Sequence, residues 1–219
     1  AGIVRAVAAL RRTFRAERPD VAYYLMIPVS YWARLAAWLA RVPVRVYKPP
    51  SLWELDFPLY RFLETATAWM DTLVLASSRA LESFYRSVPG GNARTRLSYY
   101  GFALEPFNPQ LSGDAVRKEL GLGVDDRVIG MVSHIVAPVP RISPDIGIKG
   151  HEILLRAAGR VIAAEPRVKF LIVGDEPRLP GRGAYAAGLR MMAADLGLAD
   201  RVIFAGHRPD VPAVLAAMD

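Results

Sequence analysis

Short apolar runs, each bounded by turn residues and each followed by a stretch of helical spacing, recur along almost the whole chain. They are "VAYYL" (21–25), "VRVY" (44–47), "DTLVLAS" (71–77), "RTRLSYY" (94–100), "RVIGMVS" (127–133), "RVKFLIVGDEP" (167–177) and "RVIFAGH" (201–207). Helical spacing fills residues 2–16, 30–41, 58–69, a stretch from Ser78, 149–166, 184–197 and a last stretch from 209. A run that is apolar throughout suits a strand buried on both faces, as in a parallel sheet. Parallel neighbours need long crossovers, and such crossovers are right-handed. The predicted fold class is therefore α/β with parallel sheets.

The rhythm pauses over "GFALEPFNPQLSGDAVRKELGLGVDD" (101–126), where prolines, glycines and polar residues predict a linker carrying one short helix. Two units follow from this, 1–110 and 111–219. Both read as partial: the first opens on a helix with no strand before it, and the second stops after three strands. A start without methionine fits an internal fragment. The most membrane-like stretch, residues 21–42, is interrupted by Arg34 and Arg41 and falls short of the roughly 20 apolar residues a spanning helix needs. With no cysteine, disulfides and thiolate metal sites are excluded. Most of the net charge of +7 lies in the first unit, where 14 Lys/Arg face 8 Asp/Glu, against 14 and 13 in the second. Such a surface suits an anionic partner or is simply a solvated helix face. There is no basic-aromatic module, so nucleic acid is not expected.

In open α/β sheets ligands sit beyond the carboxyl ends of strands. Three such ends in the second unit carry suggestive residues: Ser133 and His134, then Gly174, Asp175, Glu176 and Pro177, then Gly206, His207 and Arg208. The helix reading of "IGIKGHEILLRAAGRVI" (146–162) puts Gly147, Lys149 and Gly150 in its first turn. Glycines weaken a helix there, and a cation opposes the macrodipole. A bound phosphate would resolve that conflict, because a helix N-terminus offers free N–H groups. Neither G-x-x-x-x-G-K-[ST] nor G-x-G-x-x-G is present, and the three histidines have no metal-ligand or triad spacing.

"SYYGFALEPFNP", "RKELGL", "VIGMVSHI", "IKGHEILLRAA", "KFLIVGDEP" and "LGLADRVIFAGHRPDVPAVLAAMD" occur in the order found in retaining glycosyltransferases of the large family 4, and "RPDVAYYL" and "DTLVLASSRALESF" are similar to that family's first-domain motifs. The resemblance covers nearly the whole chain. It implies a GT-B architecture of two Rossmann-like domains, with the acceptor on the N-terminal one and a nucleotide-diphosphate sugar on the C-terminal one. It implies that Lys149 of "KG" grips the donor diphosphate with no metal or other cofactor. His134 stands where the family has arginine. Histidine is not permanently charged, which predicts a weaker or pH-dependent grip. Arg141, in the long "IVAPVPRISPDIGI" segment, is a candidate for the missing charge. Ser133, Gly150, Gly174, Asp175, Gly206 and His207 are expected in the donor pocket, and Lys48 and Gly101 on the acceptor side. Tyr100 and Ala103 depart from the family's "NGvd", and its E-x7-E element and first glycine-rich loop have no counterpart in the sequence.

The expected activity is transfer of a sugar, with retention of configuration, to a glycan or lipid-linked acceptor of polysaccharide or cell-envelope synthesis. The expected place is the cytoplasm, with peripheral association at the inner membrane face through the basic first unit. The alternatives are a nucleotide-sugar epimerase of the same architecture and a non-catalytic α/β binding module.

Overall fold

Every apolar run identified in the sequence contains a strand in the computed structural model, and every strand pairing is parallel. The structure describes residues 2–27, 29–89, 91–139, 143–177 and 183–219. The chain divides into two compact units, Ala1–Phe102 and Ala103–Asp219. The division falls before 110 because Phe107, Asn108, Pro109 and Leu111 lie along a groove with Pro212, Leu215 and Met218 of the second unit.

The first unit runs α1 (Gly2–Glu17), β1 (Val21–Tyr24), α2 (Val29–Ala40), β2 (Val44–Tyr47), α3 (Pro58–Thr67), β3 (Leu73–Ala76), α4 (Arg79–Ser87), α5 (Gly91–Arg94) and β4 (Thr95–Leu97). The strands lie side by side in the order β1-β2-β3-β4. Helix α4 starts where the sequence signals it: the Ser78 Oγ accepts the Leu81 N–H at 3.2 Å, a capping bond. The core gathers one side of the strands (Ala22, Tyr24, Tyr47, Val74, Ala76) against Ala33 and Ala37 of α2 and Leu81 and Tyr85 of α4. On the other side of β1, Val21 and Tyr23 are each 52% exposed.

Arg34 does more than interrupt an apolar run. It is fully buried, and its guanidinium bridges Glu64 (2.8 Å) and Asp71 (2.8 and 3.1 Å), both also buried. It also donates to the Thr67 hydroxyl at 2.7 Å and lies over the Tyr47 ring at 4.7 Å. The Tyr24 hydroxyl donates to the same Asp71 carboxylate. Charges this deep persist only when paired and hydrogen-bonded.

The second unit runs α6 (Asp114–Glu119), β5 (Arg127–Val132), α7 (His151–Ala164), β6 (Val168–Val173), α8 (Ala184–Asp195), β7 (Val202–Gly206) and α9 (Val211–Ala216). Its sheet order is β5-β6-β7. Central β6 shows why its run is apolar throughout. Phe170 and Ile172 face α7 and α8 through Leu155, Ala158, Leu189 and Ala193, while Leu171 and Val173 face α6 and α9 through Val116 and Val214. Among the described residues no helix is long and apolar enough to cross a membrane.

Helix α7 begins later than its sequence suggests. Gly147 and Lys149 lie ahead of it, and Gly150 is its N-cap with φ 74°, in the left-handed region that glycine enters without strain. The glycines therefore stop the helix from extending backwards and cost it nothing inside.

Candidate functional site

The carboxyl ends of β5, β6 and β7 are laced together just past their last paired residues. Ser133 N–H donates to Val173 O (2.9 Å), Ile135 N–H to Asp175 O (3.1 Å) and Gly174 N–H to Gly206 O (2.8 Å). This close approach demands glycine at 174. Its φ is 131°, and a Cβ there would lie 1.9 Å from the Ser133 carbonyl oxygen. Over these ends opens a cleft of about 390 Å³ lined by His134, Asp175, Glu176, Pro177 and His207. A second hollow of about 210 Å³ adjoins it, lined by Ser133, His134, Gly174, His207, Arg208 and Val211. The structure thus brings Ser133, His134, Gly174, Asp175 and His207 together, with Gly206 at the end of β7 beside them.

Lys149 and Gly150 line neither hollow. They sit on the turn that leads into α7, tied to the loop after β5 by the Ile148 N–H on Val136 O (3.2 Å). Lys149 is exposed and makes no hydrogen bond or ion pair among the described residues. Arg141 lies outside the described residues. Val139 and Ser143 pair in an isolated antiparallel bridge.

Cations and helix ends in this unit differ in how far they are already committed. Arg208 lines a hollow, but its guanidinium is held by Asp210 (2.7 and 2.8 Å) and Glu119. The N-terminus of α8 is closed by Glu176, a buried carboxylate that accepts the Ala186 N–H at 2.9 Å. Gly150, the N-cap of α7, has no side chain to cap the helix, and within the first turn the Glu152 carboxylate takes up its own residue's N–H. A helix N-terminus without a capping side chain at its N-cap position, beside an unpaired lysine, is an arrangement that suits an anion.

Three residues the sequence reading passed over hold this end in place. His151 is buried, with Nε2 3.4 Å from the Ser133 Oγ, and burial lowers its pKa against the pull of Glu152. Burial works against the charge of Glu152. Hydrogen bonds from the Tyr185 hydroxyl, from its own backbone N–H and from Gly147 N–H nevertheless hold its carboxyl below the usual range. Burial, and then the same carboxylate, push the Tyr185 phenol up. A glutamate two residues after "KG" was the available signal, since an acid in the first turn suits the dipole.

In the first unit Lys48 directly follows β2 and is buried. Its N–H donates to Tyr24 O at 3.1 Å, and its ammonium lies 4.2 Å from the Tyr100 ring centroid. Gly101 follows that ring and is exposed, with nothing within 4 Å of where a Cβ would stand. Lys48 therefore meets Tyr100, the residue before Gly101, past the carboxyl end of β2. Among the described residues no group of His, Asp or Glu is placed to hold a metal.

Residues 134–219, which include every residue lining the larger hollow, match the family described as glycosyl transferases group 1. The match starts at His134. A D-inositol 3-phosphate glycosyltransferase of Mycobacteroides abscessus is 30% identical over 222 residues, covering 93% of this chain and 44% of that protein. Its namesake in Thermomonospora curvata is 30% identical over 99% of this chain and 50% of its own length. The chain thus spans about half the length of these curated relatives. Anabaena Alr3699/HepE, solved with UDP and glucose, superposes with a TM-score of 0.71 at 26% identity, over 97% of this chain and 54% of its own. Sucrose-phosphate synthase of Thermosynechococcus elongatus shares the fold at 20% identity, with a TM-score of 0.68. The fold class is α/β with two Rossmann-like parallel-sheet units, as in GT-B glycosyltransferase structures.

Proposed function

We propose that this chain is part of a family 4 glycosyltransferase of the retaining type, and that its second unit binds the nucleotide-diphosphate sugar donor. The observation that carries the reading is the convergence of Ser133, His134, Gly174, Asp175 and His207 at three strand ends, beside a helix end with no capping side chain at its N-cap position and an unpaired Lys149. The likeness to a protein solved with UDP and with UDP-glucose supports a uridine donor carrying a hexose. On this reading Gly174 lets the ligand approach the backbone, and Gly206 and His207 border the nucleoside. Lys149 and the N–H groups opening α7 hold the diphosphate. As the bond from the anomeric carbon to the diphosphate oxygen breaks, negative charge grows on that oxygen, and a fixed cation and helix dipole stabilise it. The proposal gives charge neutralisation to these groups rather than to a metal.

The acceptor is proposed to be anionic and to meet the first unit near Lys48 and Gly101. The basic excess of that unit and the naming of the curated relatives for D-inositol 3-phosphate both support a phosphate-bearing acceptor. A lipid-linked phosphate at the inner membrane face is the membrane-bound form of the same chemistry.

Calorimetric titration with UDP, ADP, GDP and UDP-glucose tests the donor site. UDP and UDP-glucose are expected to bind, and Lys149→Ala to weaken both by about 10-fold or more, the worth of a charge-assisted hydrogen bond. Failure of all four ligands to bind the folded chain would refute the reading.

A further inference from the structure

The turn that carries Lys149 is fixed from behind by a buried acid. Glu152, in the first turn of α7, is 8% exposed, and both its carboxylate oxygens accept the Gly147 N–H, at 3.0 and 3.2 Å. The Tyr185 hydroxyl, reaching over from the first turn of α8, donates to the same carboxylate. That hydroxyl also fills the space beside Gly147, where a Cβ would lie 2.1 Å from it and 2.7 Å from Val136 O. Gly150 N–H closes the turn on Gly147 O at 2.8 Å. Two helices and a loop therefore converge on four residues, and the one charged side chain among them, exposed to solvent, is Lys149.

We propose that Glu152 and Tyr185 are positioning residues that clamp the Gly147–Gly150 turn and so fix where Lys149 is presented to a diphosphate. The inference rests on the donor-site reading above. A lysine on a mobile turn must be ordered when it binds, and that ordering lowers affinity; a turn already held removes the backbone part of the cost. A buried carboxylate on a backbone N–H outside its own helix is a costly way to achieve helix stability alone. An exposed acid in the first turn would serve the dipole without desolvation.

The test uses the whole chain with UDP as probe. Tyr185→Phe keeps the ring and removes only the hydroxyl, so the fold is retained. Its affinity for UDP is expected to fall about 3- to 10-fold. In a Lys149→Ala background the same change is expected to cost nothing further, because its effect runs through the lysine. Glu152→Gln, which keeps an acceptor for Gly147, is expected to lose less than Glu152→Ala. Without ligand, hydrogen exchange at the Gly147 amide is expected to quicken in Tyr185→Phe while the melting temperature moves little. An equal loss of affinity with and without Lys149, or no loss at all, would overturn the proposal. So would unchanged exchange at Gly147. Faster exchange in a chain that binds no UDP would instead overturn the donor reading and the role assigned to the clamp, leaving its geometry standing.

Discussion

Replacing Arg34 with methionine removes the cation from a buried cluster that holds two carboxylates, Glu64 and Asp71. All three side chains are essentially inaccessible to water, so solvent cannot step in. Breaking such a pair from one side costs about 3–5 kcal/mol, because a buried charge is left uncompensated. That is a large share of the roughly 5–15 kcal/mol that holds a typical domain. The cost also depends on pH, with a definite sign. Even beside Arg34, burial pushes Asp71 up to about 6. Without the guanidinium it climbs further, so the folded variant retains a proton that the unfolded chain releases near pH 4. A fold that binds more protons than the unfolded chain loses stability as pH rises. The destabilisation by Arg34→Met is therefore expected to be smaller at pH 5 than at pH 8. All four tryptophans (Trp32, Trp38, Trp53 and Trp69) belong to the first unit, so urea titrations followed by tryptophan fluorescence report on it alone. A loss below about 1 kcal/mol at both pH values, or one that grows as pH falls, would refute the reasoning.

Gly174→Ala forces a Cβ against a backbone oxygen at a left-handed φ, so the second unit should lose about 3 kcal/mol or more. Calorimetry would show its transition moving down in temperature while the tryptophan-detected transition stays in place. Lys48→Met keeps the aliphatic stem but removes the charge over Tyr100, and should cost the first unit about 1 kcal/mol. An unchanged urea midpoint would show that the contact carries no energy.

The sheets were legible in the sequence because a strand buried on both faces writes itself as an unbroken apolar run, as "KFLIV" does. The Ser78 cap was legible for a similar reason: it is a bond between near neighbours. What spacing could not show were contacts between distant residues. Arg34 finds Glu64 and Asp71 at separations of 30 and 37 residues, and only the packing of α2 on α3 and β3 makes them partners. Tyr185 reaches Glu152 over 33 residues for the same reason. The start of α7 was misplaced for a different cause. Apolar periodicity continues smoothly through Ile146 and Ile148, and only the backbone angle at Gly150 shows the helix opening after Lys149. The strand-end residues were legible as a set because the topology puts every parallel strand's carboxyl end on one rim. Lys149 was legible as an oddity, whereas the acid and phenol that hold its turn were not.

In both sheets the spatial order of the strands is the order of the chain. During synthesis, then, no strand has to wait for a later one. Each pairs with the edge made just before it, and the intervening helix is already in hand to cover the joint. The sheet grows like a row of tiles laid from one side, and the strands of the first unit can pair while the second is still being translated. All three members of the buried charge cluster, Arg34, Glu64 and Asp71, lie within this first unit, so it closes without any residue of the second.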